Sequence, residues 1–374
     1  MTSAVSRIAA GTMICACTIA NAAAVELSEK HTFEVNVIVE GLNHPWGLAF
    51  LPDGRLLVTE RAGRLRVAED GRLASAPVTG LPDVAQQGQG GLMDVLLHPD
   101  FAQNRIVFLS FTARGDGGYG TELARARFLD DHLEDVEIIF RALPKSRGGR
   151  HFGSRLAMLA DGTLLITLGD RGHRPNGQNL GSHPGSIIRI NEDGTVPADN
   201  PFVSLDGVRP EIYTFGNRNV QGLALDRASG RVWAHEHGPQ GGDEVNRVRA
   251  GANYGWAETT YGRNYGTGTR IGTGERRNGV AEPAHQWTPS IAPSGFAFYD
   301  GDKFPEWRGN LFAGSLKFRM LSRLEIENGV VVEKERLLAN KLGRIRDVRQ
   351  GPDGYLYLLT DELNGVIARL EPVE

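Results

Sequence analysis

One local pattern recurs along the chain and constrains its fold more than any other feature: a tight turn of Asp, Gly or Pro, followed at once by a short apolar run with strand character. Leu51-Pro52-Asp53-Gly54 precedes residues 55–59, and His98-Pro99-Asp100-Phe101 precedes residues 105–109. Asp161-Gly162, Ser229-Gly230, Arg308-Gly309 and Asp353-Gly354 lead into residues 163–167, 231–234, 310–313 and 355–359, which makes six copies. Their spacing is irregular, from roughly 45 to 80 residues, which fits four-stranded blades with variable loops better than a tight solenoid. The expected architecture is all-β: a six-bladed β-propeller of four-stranded antiparallel blades around a central channel. A β-sandwich or a two-domain β-protein is the competing arrangement, because short strands alone do not fix topology.

A chain of 374 residues with 48 glycines, 7% aromatic and 23% charged residues is long and apolar enough for one large turn-rich domain. No helix-period segment or low-complexity linker divides it. Its net charge of −4 gives no electrostatic reason to expect nucleic acid as a partner. Residues 1–24 read as a targeting segment, with Arg7 ahead of an apolar run from Ile8 to Ala20 and small residues at 20–24 for cleavage. The expected division is a signal peptide over 1–24 and a propeller over 25–374, in a periplasmic or secreted protein without a mature transmembrane span. Cys15 and Cys17 both fall in the leader, so the mature chain has no thiol.

Function must then be read from loops. Gln89 sits among glycines in Gly88-Gln89-Gly90-Gly91. His151 precedes one apolar run and Asp170 follows it, so the two can meet, and a carboxylate-oriented histidine is a usual general base. Arg218 and Asn219 lie in the donor-rich stretch Gly216–Gly222. His235-Glu236-His237 invites a zinc reading but lacks a third ligand at suitable spacing. The following Gly238-Pro239, Asp243-Glu244 and Gly251–Trp256 instead offer carbonyl and carboxylate oxygens, as calcium prefers. Arg344 and Arg346 share one face of an extended segment and, with Lys317 and Arg218, imply an anionic ligand.

Taken in order, these motifs resemble the soluble pyrroloquinoline-quinone-dependent aldose sugar dehydrogenases, periplasmic quinoproteins built on six-bladed propellers. The resemblance spans essentially the whole mature chain. It rests on Gly88–Leu92, His98–Phe101, the His151 motif, Gly169-Asp170, Gly216–Gly222, Gly238-Pro239, Asp243-Glu244, Asn253–Trp256, Ser315–Lys317 and Arg344–Asp347. It implies oxidation of aldoses at the anomeric carbon to aldonolactones, with hydride passing to the quinone. Lys317, Arg344 and Arg346 would pair with cofactor carboxylates, and Arg218 and Asn219 would donate to its quinone oxygens. The carbonyls of Gly238 and Pro239 would hold a calcium ion at the cofactor, and Glu244 with the region of Tyr254 a structural one. Gln89 and His151 would face the sugar, His151 as general base oriented by Asp170. An unidentified electron acceptor, a quinone or a periplasmic redox carrier, completes the cycle, and the protein is expected as a monomer or weak dimer.

The chain looks closer to the shorter aldose dehydrogenases than to the glucose enzymes, which leaves its preferred sugar open. Residues 260–278 are expected as a loop near the mouth, and Trp287 and Tyr299 serve equally as sugar platforms or as core. Two rival functions remain at this level. A non-catalytic binding propeller would scatter His151 and the cations, and a calcium-dependent lactone hydrolase would need several side-chain carboxylates on the metal rather than Lys317, Arg344 and Arg346 together.

Overall fold

The computed structural model describes residues 25–373, so the expected leader with Cys15 and Cys17 lies outside the described residues. Six antiparallel sheets are arranged as a propeller. The innermost strands are Pro45–Phe50, Leu92–Leu97, Leu156–Met158, Val220–Asp226, Pro293–Phe298 and Ile345–Gln350. Each begins its own sheet, of four strands in five blades and five in the last, and neighbouring inner strands pack side by side around the axis. The apolar runs of the recurring pattern form the second strand of every blade: Leu56–Glu60, Ile106–Gly115, Leu164–Thr167, Arg231–Glu236, Leu311–Ser315 and Leu356–Thr360. Each Gly- or Asp-rich turn is therefore the hairpin joining an inner strand to its neighbour.

The ring closes by mixing the two ends of the chain. Strand Thr32–Leu42 pairs antiparallel with Gly365–Pro372, completing the last blade from the N-terminal side and giving it a fifth strand, Val25–Leu27. Phe33, wholly buried on this closing strand, packs edge-on against Phe304 and Trp307 of the fifth blade region. Burial of such large aromatic faces secures a junction that four strands from one end alone would leave open.

Inter-blade space is filled by Leu, Ile, Val and Phe from facing sheets, which explains the continuous apolar runs of the second strands: both of their faces are covered. Along the axis, the channel is interrupted. Arg155 bonds Asp94 and Asp347 at 3.2 and 3.0 Å, and Arg349 bonds the same two carboxylates at 2.6 and 2.8 Å. This charge-balanced quartet, contributed by the second, third and sixth blades, separates a cavity of about 490 Å³ at one end, lined by apolar inner-strand residues together with Arg227, Asp300 and Gln350, from a more strongly charged cavity of about 460 Å³ at the other. No helix among the described residues is long and apolar enough to cross a membrane.

Candidate active site

The charged cavity lies where inner strands begin and second strands end, opposite the recurring hairpins. Its wall includes Trp46, Arg61, Gln89, Asn219, Gln221, Lys317, Arg344, Arg346 and Asp361. Four cations thus face one carboxylate. Arg346 bonds Asp361 at 2.9 Å and Arg344 approaches it at 3.5 Å, with Arg61 at 3.9 Å. His44 Nδ1 lies 2.8 Å from the other Asp361 oxygen. Burial pushes the Asp361 carboxyl up, but Arg346 and its other partners outweigh that and hold it well below the usual carboxylate range. Lys317 has no ion-pair partner among the described residues, and its Nζ stands over the Phe318 ring. The floor is Trp46, with Arg155 stacked at 4.2 Å from its ring centre.

Beside this wall, the structure brings His151, Asp170 and Gln89 together. His151 Nδ1 is 2.6 Å from Asp170 Oδ1, and the His151 amide donates to Gln89 Oε1 at 2.8 Å. Asp170 also accepts from the Gly172 amide at 2.7 Å and, on its second oxygen, from Trp256 Nε1 at 2.7 Å. The backbone reaches this geometry through a left-handed His151 (φ 55°), and a Cβ at Gly169 would stand 2.2 Å from the His151 carbonyl, so only glycine fits there. Burial draws the imidazole below its ordinary value, with Asp170 opposing and the Arg218 and Arg150 charges adding to the fall. Asp170 is also burdened by burial, yet the bonds from His151 and Gly172 carry its carboxyl below the usual value. The result at neutral pH is a neutral imidazole whose Nδ1–H points at a carboxylate, leaving Nε2 with its lone pair as the basic atom.

Because Asp170 keeps its orientation through the indole N–H, Trp256→Phe removes one charge-assisted bond. Stability in denaturant unfolding is expected to fall by about 1.5–3 kcal/mol, the worth of one such bond.

Arg218 lies outside the cavity wall. Its guanidinium donates to the carbonyls of His237 and Gly238 at 3.0 and 2.8 Å, while Tyr265 caps the Pro239 carbonyl at 2.8 Å. Burial lowers its pKa, with Asp170 and Asp243 opposing. Neighbouring Asn219 does line the cavity, with its amide oxygen accepting from Gly153 N at 3.2 Å. In the fourth blade Glu236 and Glu244 face one another across adjacent strands. Both are buried and both are raised, chiefly by desolvation and in Glu244 further by Glu236. The amide oxygens of Asn217 and Asn246 beside them are buried without a hydrogen-bond partner. Tyr254 does not present its hydroxyl there, since it donates to the Arg247 carbonyl at 2.6 Å.

The remaining candidates fall elsewhere. His235 and His237 turn to different partners, the carbonyls of Gly295 and Pro293. Trp287 and Tyr299 are core residues, 2% and 0% exposed, with their polar ends on Glu333 and the Gly354 carbonyl. Residues 260–278 do border the site: Arg263 pairs with Gln240 through the backbone, and Tyr265 reaches Pro239. Asp361, Arg61, Trp46 and Gln221 were not singled out from sequence. Asp361 in Thr360-Asp361-Glu362 carries no glycine frame or spacing signal, and it is the register of the last blade's inner hairpin, with Ile345 opposite Thr360, that sets it against Arg346.

A propeller whose axial cavity has a cationic wall and an adjacent imidazole–carboxylate pair defines an enzyme-like site for an anionic ligand. The chain matches the family model "Glucose / Sorbosone dehydrogenase" over residues 42–369. Aldose sugar dehydrogenase YliI of Escherichia coli (strain K12) is 45% identical over 347 residues, covering 91% of this chain and 93% of that protein. The soluble aldose sugar dehydrogenase from Escherichia coli in its apo-form superposes with a TM-score of 0.88 at 45% identity, over 91% of this chain and 100% of that one. The PQQ-bound aldose sugar dehydrogenase from Streptomyces coelicolor gives 0.74 at 29% identity, over 91% and 98%. The protein belongs to the glucose/sorbosone dehydrogenase family and is, at that level, an oxidoreductase acting on sugars.

Proposed function

We propose that the protein oxidises aldoses at the anomeric carbon to aldonolactones, with pyrroloquinoline quinone as cofactor and calcium as its companion ion. The observation that carries this reading is the juxtaposition of a neutral His151 held by Asp170 with a cavity walled by Arg61, Lys317, Arg344 and Arg346 against the single carboxylate of Asp361. The excess of three positive charges suits a planar tricarboxylate, and Trp46 offers it a flat floor.

When bound, the quinone accepts the hydride of the anomeric carbon; no side chain of this protein can take two electrons. The chain's own residues do the rest. His151 Nε2 takes the hydroxyl proton as the lactone carbonyl forms, and Asp170 stabilises the resulting imidazolium. Gln89, whose oxygen is fixed by the His151 amide, presents its Nε2 toward the cavity for a sugar hydroxyl. Lys317, Arg344 and Arg346 would hold the cofactor's carboxylates, and Asn219 would donate to a quinone oxygen. Arg218 holds the 237–239 segment through the His237 and Gly238 carbonyls, and would donate to a quinone oxygen as well once the cofactor is bound.

Hard oxygen donors for calcium are at hand in two places. The carbonyls of Gly238 and Pro239 belong to a segment that already gathers its oxygens around the cationic Arg218, and an ion held there would polarise the cofactor carbonyl. Glu244, with Glu236 and the orphaned oxygens of Asn217 and Asn246, suits a structural ion that relieves two buried carboxylates, to which the region of Tyr254 would add a further oxygen. Residues 1–24 would direct the chain to the periplasm or outside the cell, where the sugar and an external acceptor meet it. A non-catalytic propeller accounts less well for cations and imidazole gathered at one cavity.

Apo-protein mixed with the quinone and calcium, and assayed by dye reduction over a panel of aldoses, is expected to turn over only when both are added. Chelation should abolish activity and lower the melting temperature. Cofactor that fails to bind would overturn the assignment of the cavity, and binding without turnover on any aldose would overturn the substrate class.

A further inference from the structure

The loops that border His151 carry a band of arginines that the sugar reaction does not use. Arg147, Arg150, Arg174, Arg263 and Arg270 are exposed and have no carboxylate partner among the described residues. They form one tract. Arg171 donates to the carbonyls of Gly148 and Arg150, tying the 147–150 loop to the 171–174 turn. Arg150 lies against Gly172, and Arg174 bonds Asn264 at 2.5 Å and faces the Trp256 ring. Arg263 and Arg270 meet through a backbone bridge in the same loop. The carboxylates nearby are largely occupied: Glu258 by Arg277, Glu282 by Arg276 and Asp170 by His151, leaving Glu275.

Within this tract stands Tyr265, 67% exposed and the sole aromatic among the strongly exposed large apolar residues described. Its hydroxyl is anchored on the Pro239 carbonyl, so the ring is held out rather than loose. Arginine around a fixed aromatic is the composition of protein-docking surfaces, where Tyr and Arg dominate binding energy. The chain as a whole is acidic, at −4, so this positive tract is local.

We infer that the arginine band around Tyr265 is the docking surface for an acidic electron-carrier protein that reoxidises the reduced cofactor through the mouth beside His151. The inference rests on the quinoprotein reading. Each aldose oxidised releases two electrons and two protons, one proton with the hydride that the cofactor would accept and one to His151; two molecules of a one-electron carrier would take the electrons in turn, and both protons pass to solvent. The far end of the channel is closed by the Asp94–Arg155–Asp347–Arg349 quartet, so the mouth is the short way in. A positive rim steers a negatively charged carrier and orients it with its redox centre toward the opening.

The test uses the cofactor-free and cofactor-loaded full chain with an acidic plastocyanin as probe and a basic cytochrome c as control. Surface plasmon resonance on the cofactor-free protein should show plastocyanin binding that weakens about tenfold or more between roughly 10 and 300 mM salt, and no cytochrome c binding. An Arg147→Gln/Arg263→Gln/Arg270→Gln variant should lose about tenfold in affinity and most of the salt dependence. In the loaded enzyme the same variant should reduce plastocyanin slowly while sugar oxidation with a small uncharged quinone continues unchanged. Tyr265→Ala should weaken binding without altering the salt slope. Plastocyanin binding that is absent, or equal in the variant, overturns the inference. Sugar oxidation absent in the parent enzyme with the small quinone overturns the quinoprotein reading instead, whatever the binding shows.

Discussion

His151→Gln is expected to lower turnover on aldoses by roughly 10²–10⁴-fold, the usual worth of a positioned general base, while the affinity for pyrroloquinoline quinone stays close to that of the parent. The separation follows from where the atoms lie. His151 does not line the cationic cavity; its amide bonds Gln89 and its Nδ1 bonds Asp170, so only Nε2 is free to act on a substrate. Glutamine preserves the amide bond and can still donate to Asp170, but offers no basic nitrogen. Cofactor titration by fluorescence and single-turnover sugar oxidation measure the two quantities independently. An unchanged rate would remove His151 from the chemistry, and an equal loss in both would make it a structural residue.

The pH profile supplies a second readout on the same group. Because burial lowers the imidazole pKa, the basic form persists below the ordinary value of 6.5. The acid limb of kcat/KM is therefore expected below that pH, rising as pH increases through the shifted value. Asp170→Asn would remove the carboxylate charge that holds the imidazole pKa up, and the tautomer control with it. The limb should then move further toward acid as the rate falls, whereas an alkaline displacement would contradict the ion-pair geometry.

How much of this was written in the sequence depends on the range over which each part is specified. The six second strands announce themselves because each begins at a local turn, and a hairpin is encoded by neighbours in sequence. Gln89, His151, Asp170 and the cations could be singled out because glycine frames and strand ends mark loops where the chain approaches itself closely, as Gly169 does against His151. What joins blades distant in sequence carried no such mark. Asp94, Arg155 and Arg349 read as ordinary charges, and Asp347 only as the end of the Arg344–Asp347 motif; closure of the ring brings the three blades that carry them together as a buried quartet. Trp256 was visible as part of Gly251–Trp256, yet its indole bond to Asp170 crosses 86 residues of chain. The leftover ambiguity of Trp287 and Tyr299 had the same origin: an aromatic on a blade is core or platform according to which end of the barrel of strands it faces.

Asp361 decides whether the cationic wall is held in place before the cofactor arrives. Three arginines converge on it, one of them the buried Arg346, and like charges gathered in a low-dielectric wall repel unless a resident counter-ion separates them. Asp361→Asn keeps the shape and removes that charge, so the cofactor-free protein is expected to lose about 3–5 kcal/mol, the cost of breaking a buried ion pair. Pyrroloquinoline quinone brings carboxylates of its own to the same guanidinium groups and should restore part of the loss. The stabilisation on adding cofactor is thus expected to be larger in the variant than in the parent, measured by denaturant unfolding of each with and without it. Loss of stability that the cofactor does not recover would place its carboxylates away from Arg344 and Arg346. No loss at all would mean that the arginines are dispersed in solution, and that the wall forms only around the ligand.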